Sequence, residues 1–489
     1  MGKLAFGTPS RALATLVLYL AVHGVVRFVL WPSSLGYDDA EQVLSAQHWA
    51  WSYRFEQPPL VTWLLLALRD ITGLAPGLAT ITLLRSSMLA ALHVFAYLAA
   101  RRLGATHLAA ATAAGSLAAT YTLGYLAHAD LPHSTLLAVA VAAALWLWLR
   151  VLERPSWGRT LAFALACGLG LLAKWNFVLL AFAFLVVGLV APDTRRLVLS
   201  WRTPLIAAVT ASLAGPTAWT VAGARSDLDA LASRVLAGTP ATGIAPGWLA
   251  GIGELATSIL AFPQPWLPLA LLVLWPAFVR PNSAVRRTAA LIAVMIGMHA
   301  ALVPLAGATS FPERWMIVPL LPLPLVLMAS VSPVSPRLPR FGGLLVGLAL
   351  LVVLVRAVIG VTDAAYCGKC RTRMPAEAFA AAIRDAGFTN GTLVAPDMHL
   401  AGNLKGVMPD ARVVVPRLPE TARPPPGDGV CVVVWRGEDD GATVLAAARR
   451  ALGADLSGAT TRHVQAPILG GPARLQGLSF RIGEGEGSC

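Results

Sequence analysis

The sequence predicts an all-α membrane bundle of about eleven transmembrane helices with a small C-terminal α/β domain, and three observations carry that prediction. Apolar residues fill 56% of the 489 positions and charged residues only 13%, too apolar a balance for an ordinary soluble domain. The apolar residues come in runs of roughly 20, the length that crosses about 30 Å of hydrocarbon. After about residue 360 the runs shorten to strand length, and turn residues and charges return.

Spans are expected to begin near residues 12, 80, 107, 133, 159, 177, 204, 262, 288, 313 and 341. The first follows Lys3 and Arg11 and runs over 12–30, long for the apolar core of a signal peptide, so it reads as an uncleaved span. The net charge of +13 does not point to nucleic acid, because the arginines form no single patch or stripe. They fall between the apolar runs. With a cytoplasmic amino terminus, alternate connections hold Arg101 and Arg102; Arg150, Arg154 and Arg159; Arg195, Arg196 and Arg202; Arg280, Arg286 and Arg287; and Arg337 and Arg340, against only Glu153 and Asp193. Lys and Arg in short loops stay on the cytoplasmic side. The remaining connections and the carboxyl terminus are therefore expected outside, in the periplasm, with the membrane read as a bacterial inner membrane.

The outer connections include a long first one, 31–79, and another over 222–262. In the first, 39–51 and 59–69 read as helices punctuated by Pro58 and Pro59, both too short to span. Trp49, Trp51, Tyr53 and Trp63 suit the headgroup region, so these helices are expected to lie along the outer surface, within 32–79. The chain then divides into a membrane domain, 1–361, and an extracytoplasmic α/β domain, 362–489. In the latter, strands are expected at 392–395, 412–415 and 430–435, helices at 375–386 and 442–452, and an irregular loop over 417–429 that carries Pro424, Pro425 and Pro426.

Directly after the first span stands Gly36-Tyr37-Asp38-Asp39-Ala40-Glu41-Gln42, followed by Tyr53-Arg54-Phe55-Glu56-Gln57-Pro58-Pro59-Leu60 and Trp63. Downstream come His128-Ala129-Asp130-Leu131-Pro132 in an outer turn and Gly168-Leu169-Gly170-Leu171-Leu172-Ala173-Lys174 where a span reaches the outer face, with Asp397, Leu400, Ala401, Gly402 and Leu404 in the tail. This ordered set resembles the dolichyl-phosphate-mannose protein mannosyltransferase superfamily, which includes the bacterial aminoarabinose and galacturonic acid transferases of lipopolysaccharide. The resemblance is good over 36–180 and thin over the later spans. It implies the C-type glycosyltransferase architecture and an inverting transfer of sugar from a polyprenyl-phosphate donor to a lipid, glycan or protein acceptor.

Such a transfer needs a base for the acceptor proton and cations for the leaving phosphate. The resemblance gives Asp38 the base role, with Asp39 or Asp130 orienting the acceptor or tuning its pKa, and gives Lys174 the carrier phosphate. Arg314, in Phe311-Pro312-Glu313-Arg314-Trp315, has the same use unless Glu313 pairs with it. Bland readings stand beside these. Asp38 and Asp39 suit a helix N-cap, Asp130 can cap the next span, and Lys174 can snorkel to the interface. Glu56, Gln57, His128 and His133 are candidate substrate contacts. Gln57 stands where relatives can carry lysine, which leaves hydrogen bonding rather than charge. His128, His133 and Glu56 could together hold a divalent metal, although no ligand spacing demands one.

The five cysteines, Cys167, Cys367, Cys370, Cys431 and Cys489, make no paired zinc pattern, and no disulfide framework is expected. Cys367 and Cys370 lack a preceding thioredoxin-like strand, so a local disulfide in an oxidising compartment is the reading for that pair. The rival functions are a transporter or flippase of lipid-linked sugar, whose paired-half symmetry is not visible, and a non-catalytic scaffold, which leaves the gathered charges unexplained.

Overall fold

The computed structural model describes residues 1–489 except 55, 224–246, 369, 438–440, 455, 457 and 484–489. The middle of the expected 222–262 connection, Phe55 of the proline-turn motif, Lys369 and Cys489 thus lie outside the described residues.

Among the described residues, six helices are long and apolar enough to cross a membrane: Pro9–Leu30, Leu78–Arg102, Pro132–Glu153, Arg202–Ala222, Ser283–Ala306 and Arg337–Ala365. Two further pairs, Trp175–Val190 with Pro192–Val198 and Gly247–Ala261 with Trp266–Ala277, meet the same test but bend by 118° and 61°, so up to eight spans are recognised by length and composition. The other expected starts fall on shorter pieces, His107–Leu117, Trp157–Ala173 and Ile317–Leu320 with Pro322–Ala329. Proline explains part of the shortening: Pro322 and Pro324 remove backbone donors where an unbroken helix needs them.

The loops expected on one side do meet. Arg102 pairs with Glu153 at 2.9 Å and Arg287 with Asp193, while Asn282 donates to the Leu103 carbonyl at 2.8 Å. Gly2 packs so closely on Pro339 that a Cβ there would reach its carbonyl oxygen at 2.0 Å, which brings the amino terminus to the same end.

At the other end the first long connection forms two short helices, Tyr37–Ser45 and Leu60–Thr72. The first begins two residues before the expected 39–51 and stops six residues sooner. Beyond it Gln47 turns to the tail, donating to the Val413 carbonyl at 2.8 Å and accepting from the Val413 amide at 2.9 Å. Tertiary hydrogen bonds thus replace the helical ones. Trp49 and Trp51 are exposed as the interfacial reading expects, but Tyr53 is buried and its hydroxyl donates to the His48 carbonyl at 2.7 Å.

The tail forms a five-stranded sheet from β1 Gly391–Val394, β2 Arg412–Val414, β3 Val430–Arg436, β4 Arg462–Ile468 and β5 Gly471–Ile482, in the order β2-β1-β3-β5-β4. The first three pair in parallel and the last two add antiparallel. Three strands and both helices stand where the sequence places them; β4, β5 and the helix Met398–Val407 are additional. The core under the sheet draws in Leu44 and Tyr37 from the acidic helix. Cys367 and Cys370 form the expected disulfide. Cys431 is disulfide-bonded as well, so the scattered spacing misled: covalent pairing in the tail goes beyond the local bridge.

Candidate functional site

Gly36 enters the acidic helix in extended backbone, and Asp38 and Asp39 lie in its first turn, where the exposed amides favour negative charge. The N-cap position is Gly36, which has no side chain to cap with, so the N-cap reading of the two aspartates does not apply. Successive helical residues point about 100° apart, and Tyr37, Asp38 and Asp39 accordingly meet three different neighbourhoods.

Asp39 faces the bundle. It is fully buried against Arg85, which projects from the span Leu78–Arg102, and each side chain is at most 2% exposed. Asp130 approaches from the turn before Pro132, its carboxylate accepting from the Asp39 amide at 3.2 Å. Gly36 makes room for it: a Cβ there would stand 3.0 Å from the Asp130 carboxyl. Burial first, and then the charges of Asp39 and Asp38, push the Asp130 carboxyl well above the usual carboxylate range.

Asp38 turns to a different set. Burial raises its carboxyl above the ordinary value, Arg314 opposes this most strongly, Asp39 adds to it, and Lys174 and Arg54 oppose it further. Arg54 itself bridges Glu41 at 2.5 Å and Glu56 at 3.0 Å, and burial raises Glu41 to about 7 despite that partner. Asp38 has no ion pair within contact distance among the described residues.

Lys174 sits in the break between two apolar helices and donates to Ser134 Oγ at 2.9 Å. Arg314 lies in the short turn Glu313–Met316. Glu313 does not take it as a partner, because Glu313 accepts from the Thr122 hydroxyl at 2.5 Å. Among the described residues neither cation has a carboxylate in contact, while both act on Asp38. A half-buried carboxyl facing two uncommitted cations is an arrangement that can take a proton and hold an oxyanion.

Of the remaining candidates, His133 borders this point, directly before the Ser134 that Lys174 contacts, and His128, His133 and Glu56 each have partners of their own. His128 bonds the Tyr19 hydroxyl at 2.8 Å and stacks on His23 at 3.6 Å, inside the bundle. His133 is held at 2.8 Å by Gln42, which also accepts from Thr62. Glu56 is spent on Arg54, and Gln57 is half-buried with no partner for its side-chain amide oxygen among the described residues. Among the described residues no three His, Cys, Asp or Glu side chains gather to hold a metal. The proposed grouping of His128, His133 and Glu56 fails because each is already engaged elsewhere.

Arg85 and Arg54 were absent from the sequence candidates. A lone arginine within an apolar run is itself a signal, since an intramembrane charge needs a partner, and Arg85 and Arg356 both carry it. Arg356, fully buried, donates to the His128 carbonyl at 3.0 Å and so braces the turn that presents Asp130. An apolar groove of about 360 Å³ lined by Phe6, Tyr19, His93, Tyr97 and Leu350 contains none of the predicted residues.

A sequence profile described as dolichyl-phosphate-mannose-protein mannosyltransferase matches residues 56–219, a segment that holds Glu56, Gln57, His128, Asp130, His133 and Lys174. The lipopolysaccharide core galacturonosyltransferase RgtA of Rhizobium johnstonii is 29% identical over 439 residues, 86% of each chain. RgtB of the same organism, with the same description, is 25% identical over 420 residues and 82% of each chain. Among solved structures, ArnT from Cupriavidus metallidurans bound to undecaprenyl phosphate superposes with a TM-score of 0.60 at 15% identity, covering 95% of this chain and 98% of that one. A common fold over nearly the whole length, with relatives matched along it and the profile over 56–219, leads to one conclusion: the chain resembles the dolichyl-phosphate-mannose protein mannosyltransferase-like superfamily of membrane glycosyltransferases.

Proposed function

We propose that the protein transfers a sugar, galacturonic acid, from a polyprenyl-phosphate carrier to a lipopolysaccharide-core acceptor at the periplasmic face of a bacterial inner membrane. One observation carries the mechanism: the charges of Lys174 and Arg314 act on Asp38, and among the described residues neither cation has a carboxylate in contact. The two RgtA-type relatives support the sugar and the acceptor, and the undecaprenyl-phosphate-bound structure of the same fold supports the carrier.

In the step, an acceptor hydroxyl oxygen bonds to the anomeric carbon as that carbon's bond to the phosphate oxygen breaks. The departing electron pair stays on the polyprenyl phosphate, and the hydroxyl proton passes to Asp38. Direct displacement inverts the anomeric centre. Lys174 and Arg314 stabilise the leaving phosphate as its charge grows. Asp39, held by Arg85, places negative charge beside the base, which with burial keeps Asp38 basic enough to act near neutral pH, while Asp130, accepting from the Asp39 amide, fixes the turn that carries them.

Sidedness follows from two supports. The arginine-rich loops and the amino terminus share the end opposite Asp38, as cytoplasmic loops should. The disulfide Cys367–Cys370 and the bonded Cys431 lie in the tail, which suits an oxidising compartment. On this reading 1–361 is the membrane catalytic domain, with surface helices within 32–79, and 362–489 is a periplasmic domain. Mass spectrometry of lipopolysaccharide from cells with and without the gene tests the proposal. The expected result is loss of a hexuronic acid from the core; an unchanged core with carrier-linked sugar stalled inside would replace the transferase with a flippase.

A further inference from the structure

Beside the carboxylates, where the tail meets the acidic helix, lies a second charged cluster that the chemistry above does not use. Arg371 is exposed and makes no ion pair among the described residues. Its guanidinium stands over the Tyr37 ring at 5.8 Å. On Tyr37 also stacks His399, with centroids 6.3 Å apart and planes 6° from parallel. Arg436 completes the group, bridging Asp397 at 3.0 Å and His399 Nδ1 at 3.1 Å, with 46% of its side chain exposed. Burial and the charge of Arg436 hold His399 near pKa 4, so it is a neutral acceptor for that arginine. Asp397 neutralises Arg436, and Arg371 is left as surplus positive charge.

The turn that carries Arg371 is fixed before any ligand arrives. The disulfide Cys367–Cys370 ends immediately before it. The Thr372 carbonyl accepts from Ser34, and buried Arg373 bonds Asp363 at 3.3 Å and the carbonyls of Leu469 and Gly360 at 2.9 and 2.5 Å. A cation mounted on so braced a turn loses little entropy on meeting an anion. Placement adds to this. Asp397 follows β1 and Arg436 ends β3, at the carboxyl edge of the parallel strands, and β3 pairs antiparallel with β5 on its other side. That edge, between β1 and β3 where the strand order reverses, is where open α/β sheets bind ligands.

Tyr37 precedes Asp38 in the same helical turn, so Arg371, over the Tyr37 ring, and the proposed base flank one turn on different faces, a separation that one acceptor saccharide with its neighbouring sugar can bridge. From this juxtaposition we infer that Arg371, backed by Tyr37 and Arg436, is an acceptor subsite for an oxyanion on the acceptor saccharide. A carboxylate or a phosphate on the acceptor sugar or its neighbour would dock there and bring the reacting hydroxyl to Asp38. The inference rests on the transferase reading and narrows the acceptor to an acidic saccharide.

The test uses full-length protein in detergent, donor-free equilibrium binding of purified lipopolysaccharide core, and steady-state transfer to the same core. Core is supplied intact, phosphatase-treated, or with its carboxyls reduced. Arg371→Gln should weaken binding of intact core and raise its KM about 10-fold, as loss of one charge-assisted contact does, with kcat and donor affinity unchanged. The arm whose acceptor loses the same factor with wild type, and nothing further with Arg371→Gln, names the oxyanion. Arg371→Lys should restore part of the affinity. Equal binding of intact core by wild type and Arg371→Gln, or an equal loss on charged and neutralised cores, would overturn the subsite. Binding is read without turnover, so failure of transfer alone would count against the transferase reading and leave this result separate.

Discussion

Asp38 and Asp39 are neighbours in sequence and opposites in electrostatics. Asp39 and Arg85 are both buried, and a buried pair costs most when one member is removed, about 3–5 kcal/mol, because the other charge is stranded. Arg85→Leu should therefore lower the thermal midpoint in detergent markedly, while Arg85→Leu with Asp39→Asn should recover most of the loss. An unchanged midpoint for the single variant would remove the pair from the account. Asp38 differs in that its carboxyl is raised chiefly by burial, with Arg314 opposing. A base works when deprotonated, so kcat/KM should fall as pH drops through that raised value, above the usual ~3.9 of aspartate. A profile flat down to about pH 4 would contradict a raised base. Motif order makes Asp38, Asp130 and Lys174 legible as residue types that the chemistry needs, and Arg314 adds a further cation; the structure sets the charges of Lys174 and Arg314 to act on Asp38. Arg85 was not legible, since its partner lies 46 positions away and only folding shows which charge it meets.

The acidic helix is held from the tail, which makes the helix Met398–Val407 part of the site's framework. Leu35 donates its amide to Asn403 Oδ1 at 2.8 Å, and Gly402 lies so close that a Cβ would stand 1.9 Å from the Ala40 carbonyl oxygen. Gly402→Ala must push the two helices apart. Misplacement of a catalytic group by about 1 Å costs on the order of 100-fold in rate, so transfer should fall 10- to 100-fold, as read by turnover. Donor affinity should stay within about 3-fold, because Lys174 and Arg314 sit on other elements. Wild-type turnover would show that the close approach does not set Asp38. The sequence flagged Gly402 only through family resemblance; the contact that requires it joins segments far apart in the chain. Strands β1 to β3 were readable as apolar runs bounded by turn residues. The antiparallel pair was not, because β4 is largely exposed and offers no continuous apolar run.

Across the whole molecule, charge separates the ends: arginine-bearing loops and the amino terminus at one, the carboxylates and the disulfide-bonded tail at the other. Composition made the membrane class plain, but not how many apolar runs make unbroken helices, because bends at 175–198 and 247–277 depend on neighbouring helices as much as on local residues. Cysteines added near Gly427 and Pro336, both exposed, test sidedness. An impermeant thiol reagent applied to spheroplasts should label the first and not the second, and the reverse would invert the orientation. The central claim, that Asp38 is the base of a sugar transfer from a polyprenyl-phosphate donor, is tested most directly by purified protein in detergent. There a flippase has no sides to cross and makes no glycosylated product. Wild type given polyprenyl-phosphate galacturonic acid and lipopolysaccharide core should glycosylate the core, and Asp38→Asn should lose on the order of 100-fold or more in rate while binding donor nearly as well. Product from Asp38→Asn at the wild-type rate, or none from wild type with any acceptor fraction, would contradict the account.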